Sequence, residues 1–177
     1  MPYRTVIQGW HDFYIVAGTV AATLVGLLFV GLSLHLRVVL SRTEVRSLAR
    51  VTLANLGLVL IVSLFMVIPE GISITRTELL FSGLVTLALI GPSLLSATRS
   101  ETRTLRGYRL LIRIAFSAAA YVGVIVASGF YTHGDYHAAL SGLVAVVVAL
   151  VVISLRNSWD LLVSVGEVAL AQDQSET

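Results

Sequence analysis

The chain has 177 residues, 56% of them hydrophobic and 12% charged, with a mean hydropathy of +0.91. A water-soluble domain carries roughly a quarter charged residues, so a globular aqueous fold is a poor fit and most of the surface is expected to face lipid. The net charge of +2 and pI near 9.3 are then no sign of a nucleic-acid partner. All twelve basic residues are Arg. Guanidinium suits phosphate headgroups, although a GC-rich coding bias gives the same usage. The absence of cysteine excludes disulfides, thiolate metal sites and covalently attached haem.

Five apolar stretches follow in chain order, at 14–36, 51–69, 79–97, 114–131 and 138–155. None contains Asp, Glu or Arg, and each is long enough to cross about 30 Å of hydrocarbon as a helix. Transmembrane β-strands would be shorter and would alternate apolar with polar residues. The fold class expected is therefore an all-α integral membrane bundle of five helices. Only Arg4 precedes the first run, which is too long for a signal-peptide core and lacks a small-residue cleavage site, so it reads as a retained span. In the third, Gly91-Pro92 predicts a kink, because Pro removes a backbone donor and crowds the preceding turn. After the fifth, NSWDLLVSVGEVALA keeps a helical pattern with Leu161, Leu162, Val165, Val168 and Ala169 on one face. It reads as an interfacial helix or an extension of the fifth. Residues 1–170 form one domain, and 171–177 read as a flexible tail.

Arginine placement predicts orientation. Arg37, Arg42, Arg46 and Arg50 lie between the first two spans, Arg99, Arg103, Arg106, Arg109 and Arg113 between the third and fourth, and Arg156 after the last. Arg-rich short loops stay cytoplasmic. The N-terminus is thus expected outside and the C-terminus inside a cell (inner or plasma) membrane. Trp10, Phe13, Tyr14, Phe130, Tyr131, Tyr136 and Trp159 fit interfacial aromatic belts. The Arg rows could also hold anionic lipid headgroups.

Small residues recur every fourth position at Gly18, Ala22 and Gly26 in the first span and at Ala119, Gly123 and Ala127 in the fourth, with Ser141, Ala145 and Ala149 in the fifth. Such stripes let helix backbones approach closely in lipid, within one bundle or between copies.

Two polar constellations stand out. His35 and Arg37 interrupt the apolar run LFVGLSLHLRVVL. With Asn55, Arg113, Arg156, Asn157 and Asp160 they are expected to share one depth, forming a cytoplasmic mouth or a hydrogen-bonding interface layer. Asp160 can pair with Arg156 four residues before it, or with His35 or Arg37 of a neighbouring helix. On the opposite side the turn THGDYH brings His133, Asp135 and His137 together, with His11 and Asp12 near by topology. Imidazole and carboxylate suit a divalent ion such as zinc, but the spacing matches no established motif and exposed turn chemistry accounts for Gly134 and Asp135.

No P-loop, G-x-S-x-G or H-E-x-x-H is present, no cofactor is implied, and the middle of every span reads as apolar or small, against an enzyme or a proton-coupled carrier. The expectation is a homo-oligomeric, channel-like protein with a basic cytoplasmic mouth. The alternatives are a non-catalytic accessory or scaffold subunit of a larger membrane complex and, more weakly, an outward-facing metal sensor.

Overall fold

The computed structural model describes residues 3–34, 36–41, 43–68, 71–99, 105–133 and 136–176. Six helices follow one another: α1 (Tyr3–Leu34), α2 (Leu36–Ser41), α3 (Thr43–Val67), α4 (Ile72–Arg99), α5 (Leu105–His133) and α6 (Tyr136–Glu176). All but the short α2 contain a stretch long and apolar enough to span a membrane: Gln8–Leu34, Val45–Val67, Ser73–Pro92, Ile112–Phe130 and Tyr136–Val163. In hydrocarbon every backbone N–H and C=O must be satisfied within the segment, and a helix does this. Five apolar helices of this kind define a small multi-pass membrane protein.

The apolar pattern selects which faces meet. α3 is flanked by α1, α4 and α6, and α6 by α1, α3 and α5, with α4 against α5. The two best-surrounded helices bury the longest stripes. On α6, Leu140, Leu143, Val147, Leu150, Ser154, Asn157 and Leu161 recur every three or four residues and are all buried. On α3, half of the apolar window is buried, against 22% for α1. α1 buries only Tyr14, Ala17, Ala21 and Leu28 fully, flanks them with half-buried Trp10, Phe13, Leu24 and Val25, and turns its remaining face outward.

Glycines set two of the tightest approaches. A Cβ at Gly83 of α4 would lie 2.8 Å from Ile125 Cγ1 of α5, and one at Gly123 of α5 would lie 2.8 Å from Val146 Cγ2 of α6. Neither distance is tolerable for carbon atoms, so these crossings require the missing side chain. Near the connection to α4, Gly71 carbonyl oxygen accepts from Ile74 N at 2.9 Å and Thr75 N at 3.1 Å, turning the chain into the next helix. α4 runs through Gly91-Pro92 as a single helix to Arg99.

The C-terminal segment extends the fifth span rather than forming a separate helix: α6 is continuous over 41 residues, including 171–176. Leu161 explains its docking. It is buried in a second apolar cluster with Leu28, Val39, Val45 and Ala49, drawn from α1, α2 and α3. This cluster closes the Arg-rich end of the bundle, where a fully buried Leu contributes roughly 1.5–3 kcal/mol in water.

Candidate functional site

α5 carries Arg113, Ser117 and Tyr121 at intervals of four, one above another on a single face. That face looks toward α3 and α6, and each polar group finds its partner there. Ser117 and Tyr121 are fully buried, as is Asn55 on α3. Asn55 Nδ2 donates to Ser117 Oγ at 3.0 Å, and Tyr121 hydroxyl donates to Asn55 Oδ1. One side chain thus ties two turns of α5 to α3. Within lipid an amide left unpaired is costly, so Asn55 fixes both the rotation and the axial register of α3 against α5.

The last rung of the ladder is ionic. Arg113 pairs with Asp160 on α6 through Nη2 and Oδ2, with the two side chains 24% and 38% exposed. The i,i+4 pairing of Asp160 with Arg156 anticipated from sequence is not the one formed. The antiparallel neighbour α5 brings Arg113 to the same height, and Arg156 points outward and is exposed. Asn157 is 1% exposed on the core-facing stripe of α6, and its Nδ2 has no hydrogen-bond partner among the described residues.

The expected single mouth cluster therefore divides in two. Arg113, Asp160, Arg156 and Asn157 share the Arg-rich end. Asn55 sits further into the bundle, bonded to Ser117 one turn beyond Arg113 on α5. On its own helix, which begins at Thr43, Asn55 lies five residues, about 7.5 Å at 1.5 Å per residue, beyond Arg50. The mid-span reading as uniformly apolar or small is corrected with it, because Tyr121, a large polar aromatic, sits midway along Ile112–Phe130. Arg37 lies in α2, and His35 lies outside the described residues. Ser117 and Tyr121 were not singled out from sequence. The signal that could have found them was the four-residue interval linking them to Arg113.

The small-residue stripes are placed as follows. Gly18 faces α3, where a Cβ would lie 3.1 Å from Ser63 Cβ. Gly123 faces α6, and Ala127 is buried at 4% exposure. Ala22 and Ala119 are exposed, and the space a Cβ at Gly26 would enter is open. The first-span stripe thus begins against α3 and turns outward as it descends, because four residues advance 40° past a full turn of an α-helix.

On the opposite end, His11 Nδ1 lies 3.5 Å from Asp12 Oδ1, with Asp12 fully exposed. His137 is exposed. His133 ends α5, and Asp135 lies outside the described residues. Among the described residues no three His, Asp or Glu gather as a metal site.

No protein-family model, curated protein or solved structure matches this chain. The class stands on the five helices themselves: a small multi-pass α-helical membrane protein.

Proposed function

We propose that the protein is a non-enzymatic, self-associating membrane protein whose copies meet through the outward face of α1 and enclose a pathway for small anions. The supporting observation is the composition of that face. Val16, Thr19, Thr23, Gly26, Val30 and Ser33 recur at intervals of three and four and are all exposed. This is the spacing of a helix–helix seam, populated by the small and hydroxylated residues that pack helices in lipid. Thr19, Thr23 and Ser33 hydroxyls donate to the carbonyls of Ile15, Thr19 and Val30 at 2.8, 2.9 and 2.8 Å. The face is therefore satisfied in lipid yet offers hydroxyl oxygens to water or ions where several copies surround an axis. α1 is also the least covered of the spanning helices.

Charge favours anions. Arg37 comes four residues after Ser33 in the sequence, within α2, and arginines repeated around a pore mouth would select anions. Asp160, the residue that would draw cations to the same end, is engaged by Arg113. Cytoplasmic placement of that end follows from the arginine bias.

The test is Gly26→Leu, because position 26 is exposed and a Cβ there meets nothing in its own bundle, whereas a leucine would obstruct a partner helix. The wild-type protein in nanodiscs should run as one symmetric oligomer and pass chloride in liposomes. The variant should fold, dissociate and lose flux. A monomeric wild type, co-purification only with unlike subunits, or silent liposomes under voltage, tension and pH changes would each defeat the proposal. The second of these results would instead assign the face to an accessory subunit's partner.

A further inference from the structure

Between α3 and α4, with Leu32 of α1 and Val39 of α2 also in its wall, the surface is cut by a groove of about 990 Å³, reaching from Arg46 and Arg50 at one end to Phe65 and Phe81 at the other. This is the upper end of the roughly 300–1,000 Å³ typical of ligand clefts. From Arg46 to Phe65 it follows α3 for about 28 Å at 1.5 Å per residue, close to the full thickness of the hydrocarbon. Its wall is dry. The α4 hydroxyls that reach it, Ser82 and Thr86, are turned onto the carbonyls of Leu79 and Ser82 at 3.0 and 2.7 Å, leaving carbon toward the groove. Gly57 notches its floor, and nothing stands within 4 Å of where a Cβ would be. At the arginine end, Arg46 and Arg50 stand one helical turn apart, both exposed, and neither forms an ion pair among the described residues.

We propose that this groove holds an anionic phospholipid, its phosphate on Arg46 and Arg50 and its acyl chain lying over Gly57 toward Phe65. An apolar channel of membrane length ending in two guanidiniums is complementary to a molecule with a long hydrocarbon tail and one anionic head. Guanidinium also binds phosphate in a bidentate manner that an ammonium cannot. A second groove of about 890 Å³ between α5 and α6 has Arg113 and Arg156 at the corresponding end, but Arg113 is already held by Asp160. It serves as the internal comparison. None of the outward α1 residues Val16, Thr19, Thr23, Gly26, Val30 and Ser33 lines this groove, so lipid binding there is independent of self-association.

The experiment uses delipidated full-length protein exposed to mixed micelles of equimolar phosphatidylglycerol and phosphatidylcholine, with retained lipid read by native mass spectrometry. The wild-type protein should retain phosphatidylglycerol about thirtyfold over phosphatidylcholine, the scale set by two cationic side chains at about 1 kcal/mol each. R46Q/R50Q should bring the ratio near one, while R156Q leaves it unchanged. Gly57→Leu fills the notch from within the groove. It should lower retention of both lipids severalfold at an unchanged thermal midpoint. Equal retention by the wild-type protein, or a preference that survives R46Q/R50Q, overturns the proposal. So does Gly57→Leu altering oligomer size with lipid retention intact, which would give the groove to a second copy of the chain. Because Gly26→Leu is read on assembly and these variants on retained lipid, either account can fail alone.

Discussion

Asn55 is the residue on which the α3–α5 contact turns, and replacing it tests how the bundle holds its register. Asn55→Ala removes both the bond to Ser117 and the bond from Tyr121. It leaves two fully buried hydroxyls to find new partners and opens a cavity of a few atoms. Interhelical hydrogen bonds in membrane proteins average about 0.6 kcal/mol and reach about 1.7 kcal/mol, and a buried group left unsatisfied costs about 1–3 kcal/mol. The expected loss is therefore about 2–3 kcal/mol. Tyr121→Phe deletes a single donor and keeps the ring, so its cost is about 1 kcal/mol. The double variant should cost less than the sum by about 1 kcal/mol, because the bond lost is the same one. Reversible unfolding by SDS titration in mixed micelles, run on all four proteins, reads the cycle. A coupling energy near zero would refute the claim that these side chains form one network, whatever the single-variant values.

Further outcomes follow from the same packing. Gly83→Ala and Gly123→Ala each place a carbon 2.8 Å from a branched side chain on the facing helix and should cost about 1–3 kcal/mol in the same titration, the usual penalty of overpacking. Gly57→Ala meets open space and should be neutral or stabilising, since Ala exceeds Gly in helix propensity by up to about 1 kcal/mol. Arg113→Asp and Asp160→Arg should each lower stability by leaving like charges on α5 and α6. Combining them should restore most of the loss, and failure of the combination to rescue would argue that the pair is not a direct contact.

The five spans were legible in the sequence because apolar runs of this length have few other uses, and the lipid-facing surface leaves its mark on composition. The extent of each helix was less so. α3 begins at Thr43, eight residues before the charge-free run, because Arg46 and Arg50 can carry their charge to the headgroups along aliphatic stems. Asn55 is held inside the bundle by Ser117 and Tyr121, one and two turns beyond Arg113 on α5. The Ser117 and Tyr121 contacts were hidden for a different reason. A Ser or Thr hydroxyl in a membrane helix has a carbonyl of its own preceding turn available, as Thr19 and Thr52 show, so Ser117 names no partner, and the Tyr121 phenol, too long to bond back onto its own helix, does not say which helix it faces. Asp160 had a local candidate in Arg156 and took the distant Arg113 instead. Such a choice depends on which helices are neighbours, and five spans of similar hydropathy do not declare their order around the bundle. The C-terminal stretch was readable as helical, but its continuity with α6 rests on Leu161 docking under α1 and α2.

The central claim, five crossings with the two ends of the chain on opposite faces, is open to a direct measurement because the protein contains no cysteine and any introduced one is unique. In intact cells expressing Gln8→Cys or Ser175→Cys, a membrane-impermeant maleimide should label Gln8→Cys at once and Ser175→Cys only after permeabilisation. Labelling of both positions from the same side would require an even number of crossings and contradict the account.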